Sequence, residues 1–307
     1  MARTAKLKKP RADAPLSLDA DASRAPVRMW VGDCRRLLSH IPEVRDRAVR
    51  LVFADPPFNW NRAYDQWHDA MPDDEYLAFT RKWLDLCTDA LAPNGSLWVN
   101  IPDDWAAEIV VHLKSRGLTM VNWCIWHYRF GQNTKSRFIN SKVHALYFCK
   151  DPSQRVWNPQ HILETSDRRA IYADPRTESK RDGMPPGLRV PMDVWYGTFW
   201  GRIQGNNKER RSEHDNQLPE VYLERVILAC SDEGDVVLDP FIGSGTTAVV
   251  AREYNRPFVG TEFSLANAQR ALERCKLGMI RRGALHAVSS AIHPRRRGAK
   301  PAKLPPT

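Results

Sequence analysis

Nine residues, Leu51-Val52-Phe53-Ala54-Asp55-Pro56-Pro57-Phe58-Asn59, constrain this chain more than any other stretch. An apolar, partly β-branched run breaks off in a carboxylate, two prolines and an aromatic ring. Proline locks φ, donates no N–H and drives the residue before it into an extended conformation, so a strand here ends at Asp55. In an open α/β sheet, ligands sit at the rim formed by the strands' carboxyl ends. At such a rim the Asp55 carboxylate and the Pro56 carbonyl, both acceptors, can grip one exocyclic amino group while Phe58 lies on a flat heterocycle. The stretch reads as a pocket for a nucleobase amine. The plainer alternative is an ordinary strand end, since Asp and Pro are common turn residues.

Around this stretch strands and helices alternate. Residues 27–31 form a short strand closed by Gly32-Asp33-Cys34, where Asp33 either ends a strand edge as Asp55 does or caps a helix. A polar, aromatic loop follows over residues 59–74. From Glu75, apolar side chains at Tyr76, Phe79, Trp83, Leu84, Cys87 and Leu91 keep helical spacing until Pro93-Asn94-Gly95. A buried strand at 96–101, a helix over 103–116 and strands at 119–127 and 144–150 complete the first part. Alternation with short links predicts an α/β fold, a doubly wound and mostly parallel sheet.

A second feature lies far downstream. After a helix opening near Pro219, Val236-Val237-Leu238-Asp239-Pro240-Phe241-Ile242-Gly243-Ser244-Gly245-Thr246-Thr247 carries a buried strand into a glycine loop that starts a helix. Glycines allow close backbone approach, and N–H groups at the helix start favour an anionic group. The next strand, 257–262, ends in Glu262, 19 residues beyond Gly243, suited to accept from a ribose diol. Gly243-x-Gly245-x-x-Ala248 formally fits a dinucleotide fingerprint, which keeps a nicotinamide or flavin oxidoreductase as an alternative. Against it, the fingerprint comes late in the chain with no catalytic domain behind it, and it leaves Asp-Pro-Pro-Phe without a role.

Charge divides the chain further. The formal net charge is +10, yet residues 1–11 and 293–307 each hold five basic groups and no acid, and residues 128–211 hold sixteen Lys and Arg against eight Asp and Glu. The body is therefore mildly acidic, with a basic insertion and basic tails, a distribution suited to a polyanion. In the insertion, Arg129, Lys135, Arg137, Lys142, Lys208, Arg210 and Arg211 are the candidate phosphate contacts, interleaved with aromatics at Tyr128, Phe130, Phe138 and 195–202. Alternatively those aromatics form a small satellite core. The expected division is a disordered tail over 1–25, a discontinuous domain of 26–127 and 212–281, the insertion 128–211, and a disordered tail over 282–307. No apolar run is long enough for a membrane span and no secretory signal precedes the first strand. Six singly scattered cysteines argue against disulfides or a zinc site and point to a reducing cytoplasm.

Together, Asp55-Pro56-Pro57-Phe58 and Asp239-Pro240-Phe241-x-Gly243-Ser244-Gly245-Thr246-Thr247 resemble the catalytic and cofactor motifs of the S-adenosylmethionine-dependent amino-group DNA methyltransferases. Catalytic motif first, cofactor motif second and insertion between them is the order of the permuted β group. The resemblance implies a seven-stranded Rossmann-like sheet, S-adenosylmethionine as cofactor and double-stranded DNA as partner. A cognate restriction endonuclease and a homodimer remain open. It implies catalytic roles for Asp55, Pro56, Pro57 and Phe58. It further implies cofactor contacts from Asp33, Asp239, Phe241, Gly243, Ser244, Gly245, Thr246 and Glu262, with target recognition in 128–211. Where many members carry Thr-Gln-Lys-Pro, this chain has Asn216-Gln217-Leu218-Pro219, which keeps Gln217 as a cofactor contact and loses the basic residue. Asp at the first motif position resembles the adenine-N6 enzymes more than the cytosine-N4 ones, which more typically carry Ser. An inactive DNA-binding relative is a further alternative, and the intact Asp55, Phe58, Gly243 and Gly245 count against it. RNA or protein amide methylation is another, though those relatives more often carry Asn at the position of Asp55.

Overall fold

The computed structural model describes residues 14–62, 67, 69–128, 131, 133–177, 185–197, 199–211 and 217–287. Its strands are β1 (Leu16–Leu18), β2 (Val27–Val31), β3 (Val49–Ala54), β4 (Leu91–Ile101), β5 (Thr119–His127), β6 (Lys142–Cys149), β7 (Glu164–Thr165), β8 (Leu188–Arg189), β9 (Val194–Trp195), β10 (Val236–Asp239) and β11 (Phe258–Glu262). Its helices are α1 (Cys34–Leu37), α2 (Pro42–Arg45), α3 (Asp73–Ala90), α4 (Asp103–Ser115), α5 (Asp167–Ala170), α6 (Glu220–Cys230), α7 (Thr246–Glu253), α8 (Leu265–Leu277) and α9 (Ala284–Ala287).

Strand β3 is apolar on both faces because it is buried on both. Leu51 and Phe53 enter the core shared with α6 and α7, while Val52 and Ala54 enter the core shared with α3 and α4. Such two-sided burial is the mark of a central parallel strand. The main sheet has nine strands in the order β1-β2-β11-β10-β3-β4-β6-β5-β9. From β2 to β4 neighbours run parallel, and β6 is antiparallel to both β4 and β5. This is the expected mostly parallel α/β architecture, with nine strands in place of seven. The additions are the two edges, β1 antiparallel to β2 and β9 parallel to β5.

Strands β3 and β10 lie side by side, yet the chain leaves β3 toward β4 and leaves β10 toward β11. The sheet's order reverses between them, and ligand crevices open at such a switch point. Asp55 follows β3 there, and Asp239 ends β10.

Three expectations need correction. Residues 14–25 of the supposed disordered tail are ordered. Leu16–Leu18 pairs with β2, and buried Arg252 holds the segment through the Asp19 carbonyl (3.0 Å), the Ala25 carbonyl and the Asp21 carboxylate (2.9 Å). The downstream tail likewise begins later than 282. Gly283 and Leu285 donate backbone N–H groups to Glu224 (2.7 and 3.2 Å), and α9 follows. In the insertion, Tyr128, Trp195 and Trp200 are buried in the main core, the two tryptophans 5.3 and 6.2 Å from the Tyr222 ring, so these aromatics pack instead of presenting faces to bases. Among the described residues of that set, Phe138 alone is almost fully exposed, at 96%; Phe130 lies outside the described residues. Among the described residues no helix is long and apolar enough to cross a membrane.

Candidate active site

At the switch point lies a cavity of about 740 Å³. Asp33, Asp55, Pro56, Pro57, Phe58, Asp239, Phe241, Gly243, Ser244, Thr246 and Glu262 all line it, so two motifs about 190 residues apart in sequence meet around one space. Gly245 and Gln217 do not reach it. Gly245 serves the backbone: it takes φ 79° at the start of α7, and a Cβ there would stand 2.7 Å from the Ala271 Cβ on α8. Gln217 is spent inside its own loop, donating to the Glu209 carbonyl (2.7 Å) and accepting from the Arg211 N–H (3.0 Å); Leu218 lines the cavity instead.

Strand β3 delivers Asp55, and β4 holds it. The Asn100 side-chain amide donates to Asp55 Oδ1 over 2.6 Å. Burial pushes the Asp55 carboxyl up to about 7; the nearby Asp239 adds to the rise, while the Asn100 hydrogen bond and the Arg202 charge oppose it. The Phe58 ring meets Trp60 edge-on at 5.2 Å, and the Phe58 carbonyl accepts from Trp105 Nε1 at 2.9 Å.

The glycine loop is held from beneath. Asp239 accepts from the Phe241 N–H (2.8 Å) and the Thr247 hydroxyl (2.6 Å), and burial raises its carboxyl to about 7. Arg274 on α8, 2% exposed, reaches the Ser244 carbonyl (3.2 Å) and the Thr246 hydroxyl (2.7 Å) while pairing with the buried Glu220 (2.9 Å). Glu262 accepts from the Gly243 N–H (2.8 Å) and the Ser264 N–H (3.0 Å), and burial raises its carboxyl as well. Asp33 caps α1 through the Arg35 N–H (2.9 Å) and pairs with the Arg35 guanidinium (2.6 Å). Burial works against the ionised form there, but Arg35 outweighs it and holds the Asp33 carboxyl below its ordinary value.

Several participants went unread in the sequence. Asn100 engages Asp55 and Tyr222 engages Asn100; a polar residue inside the buried strand 96–101 was the one signal for Asn100. Buried Asp69 gathers the N–H groups of Asn59, Trp60 and Arg62, stapling a loop whose Asn61, Arg62 and Trp67 line the cavity. Of the candidate phosphate contacts, Lys135, Arg137, Lys208 and Arg210 are exposed on the insertion, and Arg211 is half-buried. Lys142 pairs with Asp103 (2.8 Å), and Arg129 lies outside the described residues.

A Rossmann-like sheet with an acid-lined cavity at its switch point defines the class of nucleotide-cofactor α/β proteins. The DNA methylase (N6/N4) family model matches residues 49–273, and the chain belongs to that family of amino-group DNA methyltransferases. The type II methyltransferase M.BamHI of Bacillus amyloliquefaciens is 34% identical over 252 residues, 81% of this chain and 57% of that protein, so the chain spans little more than half of that relative. M1.MboII of Moraxella bovis is 30% identical over 231 residues, 73% of this chain and 88% of its own length. Among solved structures, the M1.HpyAVI–SAM complex superposes with a TM-score of 0.54 at 19% identity, covering 80% of this chain and 97% of that one. The cytosine-N4-specific PvuII DNA methyltransferase gives 0.55 at 17% identity, covering 80% and 84%. At these identities the two structures speak to the fold alone.

Proposed function

We propose that this protein transfers a methyl group from S-adenosylmethionine to the exocyclic N6 amine of adenine in duplex DNA. The observation that carries the reading is the meeting of Asp55, Pro56 and Phe58 with the glycine loop and Glu262 around one cavity. The donor set fits this cofactor. Asp239 and Glu262 are buried and Asp55 half-buried, all three carboxylates with raised pKa values, an environment that a cationic ligand relieves. Glu262 and Asp33 both line the cavity, the first as the acceptor for a ribose diol and the second for the adenine end. When bound, the cofactor supplies an electrophilic methyl group on a positively charged sulfur.

The remaining work belongs to the chain. An exocyclic amine on an aromatic ring is a poor nucleophile because its lone pair is delocalised. Ionised Asp55 and the Pro56 carbonyl accept its two hydrogens, favouring a pyramidal nitrogen with its lone pair free. The base must leave the duplex to reach them, and Phe58 offers a face for it to stack on. Orientation and preorganised acceptors then carry the rate, with no covalent enzyme intermediate. Accordingly, no Pro-Cys dipeptide occurs in the chain, and all six cysteines are buried.

Cytosine N4 is the competing target, since its amine has the same donors and the cytosine-N4-specific PvuII enzyme has the same fold. Asp at position 55 favours adenine by its resemblance to the adenine enzymes. Nucleoside mass spectrometry on unmethylated plasmid, incubated with the protein and S-adenosylmethionine, decides the matter. N6-methyladenine is expected. N4-methylcytosine would reverse the choice of base, and neither product on duplex or single-stranded DNA would overturn the reading.

A further inference from the structure

Asp55 closes a strand buried on both faces, and a carboxylate in such a place needs a donor to fix its angle. Asn100 on β4 supplies one over 2.6 Å. Asn100 is itself only 1% exposed, so its own amide oxygen needs a partner in turn, and the Tyr222 hydroxyl stands 3.3 Å away. The donor inventory sets the sense of the amide. An ionised carboxylate can only accept, so the Asn100 NH₂ faces Asp55 and its carbonyl faces the hydroxyl. Tyr222, on α6, has little freedom: Phe53, Trp126 and Trp195 meet its ring edge-on at 5.7, 5.7 and 5.3 Å. Trp195 belongs to the basic insertion, so a continuous line of contacts runs from the insertion through Tyr222 and Asn100 to the carboxylate.

We infer that Asn100, oriented by Tyr222, is the positioning residue for Asp55: it occupies Oδ1 and leaves Oδ2 to work beside the Pro56 carbonyl on the incoming amine. The inference rests on the amine-methylation reading. It has an electrostatic side as well as a geometric one. Burial and the Asp239 carboxylate favour protonated Asp55, whereas the Asn100 hydrogen bond and the Arg202 charge favour the ionised acceptor. Tyr222, which also neighbours Asp55, stays neutral because burial holds its hydroxyl far above its ordinary pKa. Removing Asn100 leaves the Arg202 charge to favour the ionised form against burial and Asp239.

The test follows the Asp55 carboxyl carbon by NMR in protein labelled with ¹³C at aspartate, without cofactor, the signal being assigned by its loss in Asp55→Asn. Asn100→Leu is expected to move the Asp55 titration midpoint to higher pH, and Tyr222→Phe to move it less in the same direction. The acid limb of the methyl-transfer pH profile should move with it. Asn100→Leu should lower kcat by about ten- to a hundred-fold, as misplaced catalytic groups do, with KM for S-adenosylmethionine within about two-fold. An unmoved midpoint in folded Asn100→Leu overturns the inference, as does a moved midpoint with wild-type kcat. Should Asn100→Leu fail to fold, Tyr222→Phe, which deletes a single oxygen, carries both readouts. If the wild-type protein methylates no nucleic acid while the midpoint still moves, the amine-methylation reading falls and the hold of Asn100 on Asp55 stands.

Discussion

The half-buried Asp55 carboxyl, pushed up to about 7 by desolvation, is poised between acceptor and donor, and only its ionised form can accept from an amine without also donating. Methyl transfer should therefore rise with pH through the neutral region as Asp55 ionises, which initial rates under saturating cofactor from pH 5.5 to 9 would record. A flat profile across that range would separate Asp55 from the rate. Asp55→Ala should reduce transfer to background while cofactor binding, measured by calorimetry, persists, weakened only as far as the loss of one of three nearby carboxylates allows. Near-normal turnover in that variant would remove Asp55 from the chemistry. The Asp55-Pro56-Pro57-Phe58 run could be read in advance because its constraint is local: each proline acts on its immediate neighbours. Asn100 could not be read, since its partner lies 45 residues away and nothing local ties the two together.

The loop that follows β3 shows how a connection becomes a wall. Asn59 and Asn61 take φ of 60° and 54°, a left-handed conformation that Asn tolerates better than most residues. The Asn59 side chain brackets the Met71 backbone, accepting its N–H at 2.7 Å and donating to its carbonyl at 2.8 Å. Asp69, 3% exposed, accepts from three backbone N–H groups at 2.9 to 3.1 Å. Asp69→Ala would orphan these donors, at a cost of roughly 1–3 kcal/mol for each one that stays buried and unsatisfied. The variant is expected to melt lower and to lose kcat/KM for DNA, with cofactor affinity little changed; an unchanged melting temperature would refute the staple. In the sequence this segment was legible only as a polar, aromatic connection. The same limit hid β1, whose Leu16 and Leu18 sit in an otherwise polar stretch and acquire meaning only against β2 and buried Arg252. Long periodic elements such as α3, with Tyr76, Phe79, Trp83, Leu84 and Cys87 on its buried face, were legible throughout.

Opposite charges separate the insertion from the cavity. Lys135, Arg137, Lys208 and Arg210 stand exposed on the insertion, facing solvent where a phosphate backbone can reach them. Replacing all four with Ala should flatten the salt dependence of DNA binding by about 0.9 in log–log slope for each phosphate that is no longer neutralised, without touching cofactor affinity. An unchanged slope would move the DNA footprint elsewhere. The cavity is the reverse, since Asp55, Asp239 and Glu262 all have raised folded-state pKa values. Between the ordinary carboxylate range and about 7, the folded protein holds protons that the unfolded chain has released, so stability falls as pH rises across that window. A cationic ligand offsets this, because it favours the ionised acids. S-Adenosylmethionine carries a net positive charge near neutrality, whereas its demethylated product carries none. The methyl donor should thus raise Tm more at pH 8 than at pH 6 and release protons on binding, detectable by calorimetry in buffers of different ionisation enthalpy. The product should show a weaker dependence of both kinds. Equal shifts at the two pH values, or equal proton release by donor and product, would mean that the buried acids do not read the cofactor's charge.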